Sequence, residues 1–600
     1  MKKTWLISLF ALFVLLAGCV ETKSSQNKDD GEKVEVSDKI EIEVLGMSSS
    51  EDDLNIVRDQ LAKNGYDVKL NLQPDFGSFK AQEDAGNYDI SLSGWTTVTG
   101  NPDYAIRSLF ISGGDNSKLD DPELDDLINQ ASTETPEEFK ETYKQFEEKL
   151  VFENAYTAPL YISYKTQAVH SDILNADTVR LSKSRSLAWE PIDFNDTDKR
   201  GTDPLIVAQS EPSFTSLDPI KGNDGSINMV NTNMYVRLVN LTDDDEVTSE
   251  GSLSYNHSIA EGNNTYYFVL RDDVNFAKVE DGEAVDTGEL VSAEDVIFSL
   301  NRAKDPDSVP DHRTYSLHEH IQDVEIVSDL SELEGTENSS GDQTILEELT
   351  QDLDQEISSL ATDKSDVDNG KGSYQVLKVT TTEPFPQVLN YLAHQSAGIV
   401  SEEQVTAINT YDVESYDVNK DIAYGDQTTV TKGSKYDNQL YASGPYILVE
   451  KDDYEANFVR NPGYMADTDH APQIDHVTMS FIRDDDSKLA ALRNSEIHIF
   501  YGVPQTKFDV VDNDDALTRQ SIPSNSVVYL HFNMDDREVS EDEDLRKSIL
   551  YSINQQEFID YYHGNAEKAI STLSPLVDTE NELTADPAKV EEFYQKYEEK

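Results

Sequence analysis

The sequence predicts an α/β protein of more than one domain, and two observations carry that prediction. Residues 39–72 alternate in the manner of a strand, a helix and a second strand. The chain is 600 residues long, more than one simple core organises, so two or three domains are expected. The strand pattern is a strict alternation, first in Ile40, Ile42 and Val44, then in Val68, Leu70 and Leu72. Between them Ser50 stands where a helix begins, Leu54, Val57 and Leu61 share one helical face, and Gly65 ends it. Connections this short imply a parallel pair joined by a right-handed crossover.

Three further helices have marked starts. Thr135-Pro136-Glu137-Glu138 combines a capping box with proline in the first turn, ahead of an apolar stripe of Phe139, Tyr143, Phe146 and Leu150. Ser292 precedes Val296 to Leu300, and Ser540 precedes Leu545, Ile549 and Ile553. Two stretches interrupt the pattern. Residues 328–372 are acidic and rich in Ser and Gly, and read as an inserted loop with one helix around Ile345 to Leu353. Residues 195–203 are short and polar, as suits a junction.

The first residues set the compartment. Lys2 and Lys3 precede an apolar run, Trp5 to Leu16, that is too short for a stable spanning helix. Leu16-Ala17-Gly18-Cys19 then reads as a lipobox, with cleavage before Cys19 and lipid on its thiol. Cys19 is the single cysteine, so intramolecular disulfides are excluded. The expected layout is a leader at 1–18 and a polar tether at 19–38, with lipid as the sole membrane attachment. The chain is expected on the outer face of the cell membrane.

Acids outnumber bases 117 to 48, for a formal charge of −69. Such a surface excludes nucleic acid and anionic lipid as natural partners. Self-repulsion at this density is tolerable when salt screens it, so a saline working medium is expected. Catalytic signatures are missing from the sequence: there is no G-x-S-x-G elbow, no H-E-x-x-H helix and no Walker loop. His318-Glu319-His320, with His312 nearby, is the one local histidine cluster; it reads as a strand or loop with one face exposed rather than a zinc site. No enzyme activity, cofactor or metal is expected.

From residue 204 onward the spacing of several motifs resembles the family 5 solute-binding proteins, the peptide- and nickel-binding receptors. Ser216-Leu217-Asp218-Pro219 resembles their S-L-D-P element. Thr265 to Arg271, Val274-Asn275-Phe276, Asp281-Gly282 and Ser292 to Val296 resemble their F-x-L-R, V-x-F, D-G and A-E-D-V signature. Ser443-Gly444-Pro445-Tyr446, Arg460 to Tyr464 and Tyr529 to Asn533 resemble later family elements. The family's final elements resemble the front of this chain: residues 40–72, Tyr88-Asp89 through Gly94-Trp95, and Ala158-Pro159-Leu160-Tyr161. The resemblance implies a two-lobed, periplasmic-binding-protein-like α/β fold of type II, peptide-binder class, with circularly permuted order and old termini fused near 195–203.

On that resemblance residues 158–502 form one continuous lobe, and 39–157 with 503–600 form the other. The crossings are expected near Ala158 to Tyr164 and Ile497 to Pro504. The implied function is capture of oligopeptides or dipeptides for an ABC permease and its ATPase, by a monomer. A nickel chelate, a glutathione-like solute or an oligosaccharide is the alternative cargo, and peptide sensing at the surface the alternative role. The implied ligand residues are Gly94, Trp95, Thr96 and Thr97, then Ser213, Phe214, Tyr441, Ser443, Gly444, Phe532 and Asn533. Many peptide binders of the family carry an Asp three places after the Trp, which pairs with the ligand's amine; here it is Val98, so either Asp103 substitutes or the ligand has no free amine in that place.

Overall fold

The front of the chain folds as its alternation predicts. In the computed structural model, strand Glu41–Met47, helix Glu51–Lys63 and strand Asp67–Gln73 follow one another. The two strands pair in parallel, Glu41 opposite Asp67 and Met47 opposite Gln73. Ile42 and Val44 are fully buried beneath Leu54, Val57 and Leu61 of the helix, and Gly65 turns the chain at φ +98°. Strand Ile90–Thr96 adds on the other side, again in parallel, with Val44 opposite Ile90. The described residues are 39–74, 76–114, 116–426, 440–534 and 537–600. The leader, the tether and Cys19 lie outside them. The stretch Glu41–Lys600 is one compact unit.

These strands belong to an eleven-stranded sheet. Its order is Tyr446–Lys451, Glu455–Arg460, His476–Phe481, Leu205–Gln209, Ile499–Tyr501, Thr157–His170, Leu517–Phe532, Ile90–Thr96, Glu41–Met47 and Asp67–Gln73, with Ala566–Lys568 also paired to Thr157–His170. The two long strands hold the centre. They run antiparallel from Leu517 opposite His170 to His531 opposite Thr157. One end of the pair meets Ile499–Tyr501, and the other meets Ile90–Thr96, with Ser526 opposite Thr96. The register shifts between Pro523 and Val527. Proline has no amide hydrogen to give a ladder, so an irregularity is expected there.

Only one of the expected crossings coincides with a long strand. Ala158 to Tyr164 lies in Thr157–His170, but Ile497 to Pro504 contributes just three strand residues, Ile499–Tyr501, before Gly502 turns at φ +74°. The second long strand is Leu517–Phe532. Its first half, L-T-R-Q-S-I-P-S, is too polar to show a strand alternation.

Two cores flank this arrangement. One gathers around Trp189, fully buried with Tyr446 and Phe458 at ring distances of 5.7 and 5.0 Å. The other lies between helix Ala293–Ala303 and a four-stranded sheet of Ile321–Ile326, Val376–Thr381, Thr265–Leu270 and Ser254–Ile259. Ser292 opens that helix as expected, and forms a capping box with Asp295. The helix expected to open at Ser540 is capped instead by Asp542, whose carboxylate accepts from the amides of Asp544 and Leu545.

The segment 328–372 departs from the loop reading. It forms helices Leu330–Gly335 and Ile345–Thr350, the second with a Thr344–Glu347 capping box. Leu333, Ile345, Leu349 and Ile357 are buried against Tyr267, Val269 and Val376. A few spaced apolar residues suffice to seat it, although acids dilute them in the sequence.

Candidate ligand-binding site

A cavity of about 460 Å³ lies where strands Glu41–Met47 and Ile90–Thr96 end. The carboxyl ends of parallel strands are the usual place for a ligand crevice, because connecting loops diverge there. Met47, Ser50 and Asp53 line it from the front of the chain, and Gly94, Trp95 and Thr96 from the next strand. Ser526, Val528 and His531 of the long strand Leu517–Phe532 close the other side, with Tyr161 beside them. Leu92, Leu109, Phe79 and Phe110 supply apolar wall.

Several polar groups at this cavity lack protein partners. Trp95 is half-buried, its ring tilted against Tyr104 at 6.2 Å, and its Nε1 is a buried donor with no acceptor among the described residues. His531 is 7 % exposed, and neither ring nitrogen has a hydrogen-bond partner there. Burial lowers the His531 pKa to about 4, so the ring is neutral at physiological pH and offers one donor and one acceptor. Buried polar atoms are nearly always satisfied, and those that are not call for an explanation. A ligand that bonds to them is the simplest one here.

Besides Glu83, the acid that lines the cavity is Asp53. Its carboxylate accepts from the Tyr161 hydroxyl at 2.8 Å and from the Tyr562 hydroxyl at 2.9 Å. Burial raises its pKa, with those two hydrogen bonds working in the opposite sense. Lys80 also lines the cavity, but pairs with Glu83 at 2.7 Å.

Of the residues expected at a ligand, the structure brings Gly94, Trp95 and Thr96 to this cavity and puts the others elsewhere. Thr97 is buried, and its amide donates to the Asn525 carbonyl at 3.1 Å. Asp103 is fully buried, paired with Arg107 at 3.1 Å and accepting from the Tyr391 hydroxyl at 3.3 Å. Ser213 is exposed, while Phe214 sits in the Trp189 core, edge-on to Phe481. Tyr441 leans on Phe276 at 6.3 Å. The Ser443 hydroxyl donates to the Ile399 carbonyl and accepts from the Val236 amide. Gly444 passes so close to the backbone of Met234 that an added Cβ would lie 2.6 Å from its carbonyl carbon. Phe532 is fully buried, and the Asn533 amide holds the Gly86 and Tyr88 carbonyls.

Asp53, Tyr161 and His531 were not legible as site residues. They come from three distant stretches, joined only when Leu517–Phe532 pairs with both Thr157–His170 and Ile90–Thr96. The histidine cluster is also differently disposed. His318 is fully buried with Nε2 2.8 Å from the Ser396 hydroxyl, and His320 stacks on Phe385 at 4.1 Å. Among the described residues no three His, Cys, Asp or Glu side chains gather to hold a metal ion.

A sheet with a partly apolar cavity at its strand ends, carrying a few unspent polar groups, has the form of a small-solute site. Residues 250–596 match the family described as bacterial extracellular solute-binding proteins, family 5 (middle), and the chain belongs to that family. That identity agrees with the expected binding protein rather than an enzyme. The chain resembles the glutathione-binding protein GsiB of Salmonella paratyphi A, at 21 % identity over 65 % of this chain and 60 % of the relative. It is similar to GsiB of Pectobacterium atrosepticum at 23 % identity, over 64 % and 59 % of the two chains. It thus spans about three fifths of the length of these relatives. Among solved structures it resembles the ABC transporter-associated periplasmic binding protein DppA of Helicobacter pylori in complex with peptide STSA. That match has 17 % identity and a TM-score of 0.41 over 66 % of this chain and 67 % of the other. The murein tripeptide binding protein MppA of Escherichia coli matches at 17 % identity and a TM-score of 0.34, over 52 % and 48 %. No helix among the described residues is long and apolar enough to cross a membrane.

Proposed function

We propose that this chain is a lipid-anchored receptor, held at the outer face of the cell membrane by Cys19, that captures a peptide and delivers it to an ABC permease and ATPase. The observation that carries this reading is the Trp95 cavity. It combines apolar wall with hydrogen-bonding atoms that the protein itself leaves unspent. A peptide has both complements, apolar side chains and a main chain of donors and acceptors. The relatives named for glutathione binding favour a short, glutathione-like peptide within this class.

In this reading the molecule has two lobes, 158–502 and 39–157 with 503–600; apart from Tyr161 the Trp95 cavity is lined by the second, and bending at the long central strands would close the first over it. Circular permutation accounts for a lobe assembled from both ends of the chain. The pairing of Ile90–Thr96 with Leu517–Phe532 supports that assembly. The register shift around Pro523 supports a bend at that point.

Native mass spectrometry of protein purified without refolding identifies the carried solute. Peptides bound one per chain are the expected result; a metal chelate or a sugar sinks the reading. In the same assay Trp95→Ala is expected to weaken binding about tenfold, because an aromatic wall and a donor are lost together, with an unchanged melting temperature. Undiminished affinity moves the site away from this cavity.

A further inference from the structure

Asp53 differs from the other buried acids of this molecule. Asp103 has Arg107 beside it, and Asp218 has Arg302. Glu147, fully buried without a cation, is encircled by Ser571, Thr579 and Asn581, and lines no cavity named above. Asp53 is 5 % exposed and has two phenols for partners; no cation figures among the groups acting on it. A carboxylate has about four acceptor positions, and two are in use here. Asp53 is one of the residues that line the cavity.

By formal charge the lining of the cavity holds one acid more than it holds bases. Its lining acids are Asp53 and Glu83 and its one lining base is Lys80, which Glu83 and Asp84 already hold at 2.7 and 3.6 Å. A role as helix dipole partner does not account for Asp53. Asp52, exposed in the same first turn, serves that purpose without desolvation. A desolvated charge with no partner is unfavourable until something cationic arrives. The other polar groups of the cavity, His531 and the Trp95 Nε1, are neutral and unpartnered among the described residues.

We propose that Asp53 is the counter-ion for an ammonium group of the bound ligand, with Tyr161 and Tyr562 fixing the carboxylate and His531 and Trp95 bonding to a neutral, amide-like part of the same molecule. This rests on the reading of the Trp95 cavity as the ligand site. The cavity therefore selects for an ammonium group on a short amide-bearing body. Blocking the amine removes the one charge the site is built to meet.

Two pools of tripeptides, identical except that one is N-acetylated, test this by isothermal titration. Wild type is expected to bind the free-amine pool at least about tenfold more tightly, since a desolvated charge pair is worth that much or more. Asp53→Asn keeps the shape and is expected to lose that preference with its melting temperature retained. Should that variant not fold, Tyr562→Phe removes one phenol and is expected to narrow the ratio about threefold. Equal binding of both pools by wild type, or an undiminished preference in Asp53→Asn, overturns the role of Asp53 while leaving a peptide receptor. If neither pool binds, the peptide reading fails, and ethylamine and putrescine are titrated instead. Binding of either that Asp53→Asn abolishes upholds the ammonium site; binding of neither overturns it too.

Discussion

Asp218, in the S-L-D-P element, reaches Arg302 at 2.5 Å, and both side chains are almost inaccessible. Arg302 lies in the last turn of the helix that the A-E-D-V element opens, so the ion pair ties one motif to the far end of the helix that another begins. Asn461 of the R-N-P-G-Y element works in the same way: its amide donates to the Asn275 and Gly444 carbonyls. Motif residues such as Ser443, Gly444 and Asn533 are staples of the fold, which is why they were legible as special. Trp95 is among the motif residues that do reach the cavity, with Gly94, Tyr161 and His531. A buried histidine gives a residue-scale prediction. Burial, then repulsion from His394 and His312, lowers the His318 pKa to about 3. The neutral ring is favoured in the fold, so its contribution to stability is present above about pH 6.5 and is lost as pH falls towards the folded value. His318→Gln removes that titration. Urea unfolding between pH 6.5 and 4.5 is expected to fall less steeply in the variant, by up to about 2 kcal/mol; parallel curves contradict this.

Among elements, the segment 328–372 shows where sequence patterning runs out. Its apolar residues Leu333, Ile345, Leu349 and Ile357 are spaced widely among acids, so no period emerges, yet each is buried against strands Thr265–Leu270 and Val376–Thr381. What fixes them is a tertiary surface that a local window does not contain. The opposite holds at residues 39–72, where alternation, a three-residue apolar face and Gly65 all point the same way and the β-α-β unit follows. The second long strand, Leu517–Phe532, falls between these cases. Its second half is apolar and legible, and its first half is held by Thr157–His170 despite its polarity. For the segment 328–372, limited proteolysis of the native protein is expected to leave it intact at protease levels that cut exposed loops. Early cleavage within it, mapped by mass spectrometry, contradicts the packed arrangement.

For the whole molecule, the balance of −69 charges against a finite core sets the working conditions. Most basic side chains are drawn into ion pairs, such as Arg519 with Asp512 and Arg460 with Asp475, but they are too few to answer the acids. Raising NaCl from 0.1 to 1 M shortens the screening length from about 10 to about 3 Å. The melting temperature is expected to climb by several degrees over that range, and a flat or falling profile in differential scanning calorimetry refutes it. The central pairing has another consequence, one of timing. Thr96 emerges from the ribosome long before Ser526, its partner across the sheet. At about 5–20 residues per second, the interval is roughly 20–90 s. Through that time strand Ile90–Thr96 offers an open edge to every neighbouring nascent chain. The acidic surface then acts before the fold exists: each growing chain repels the next, and the edge that will wall the cavity is kept from the wrong partner until its own is made.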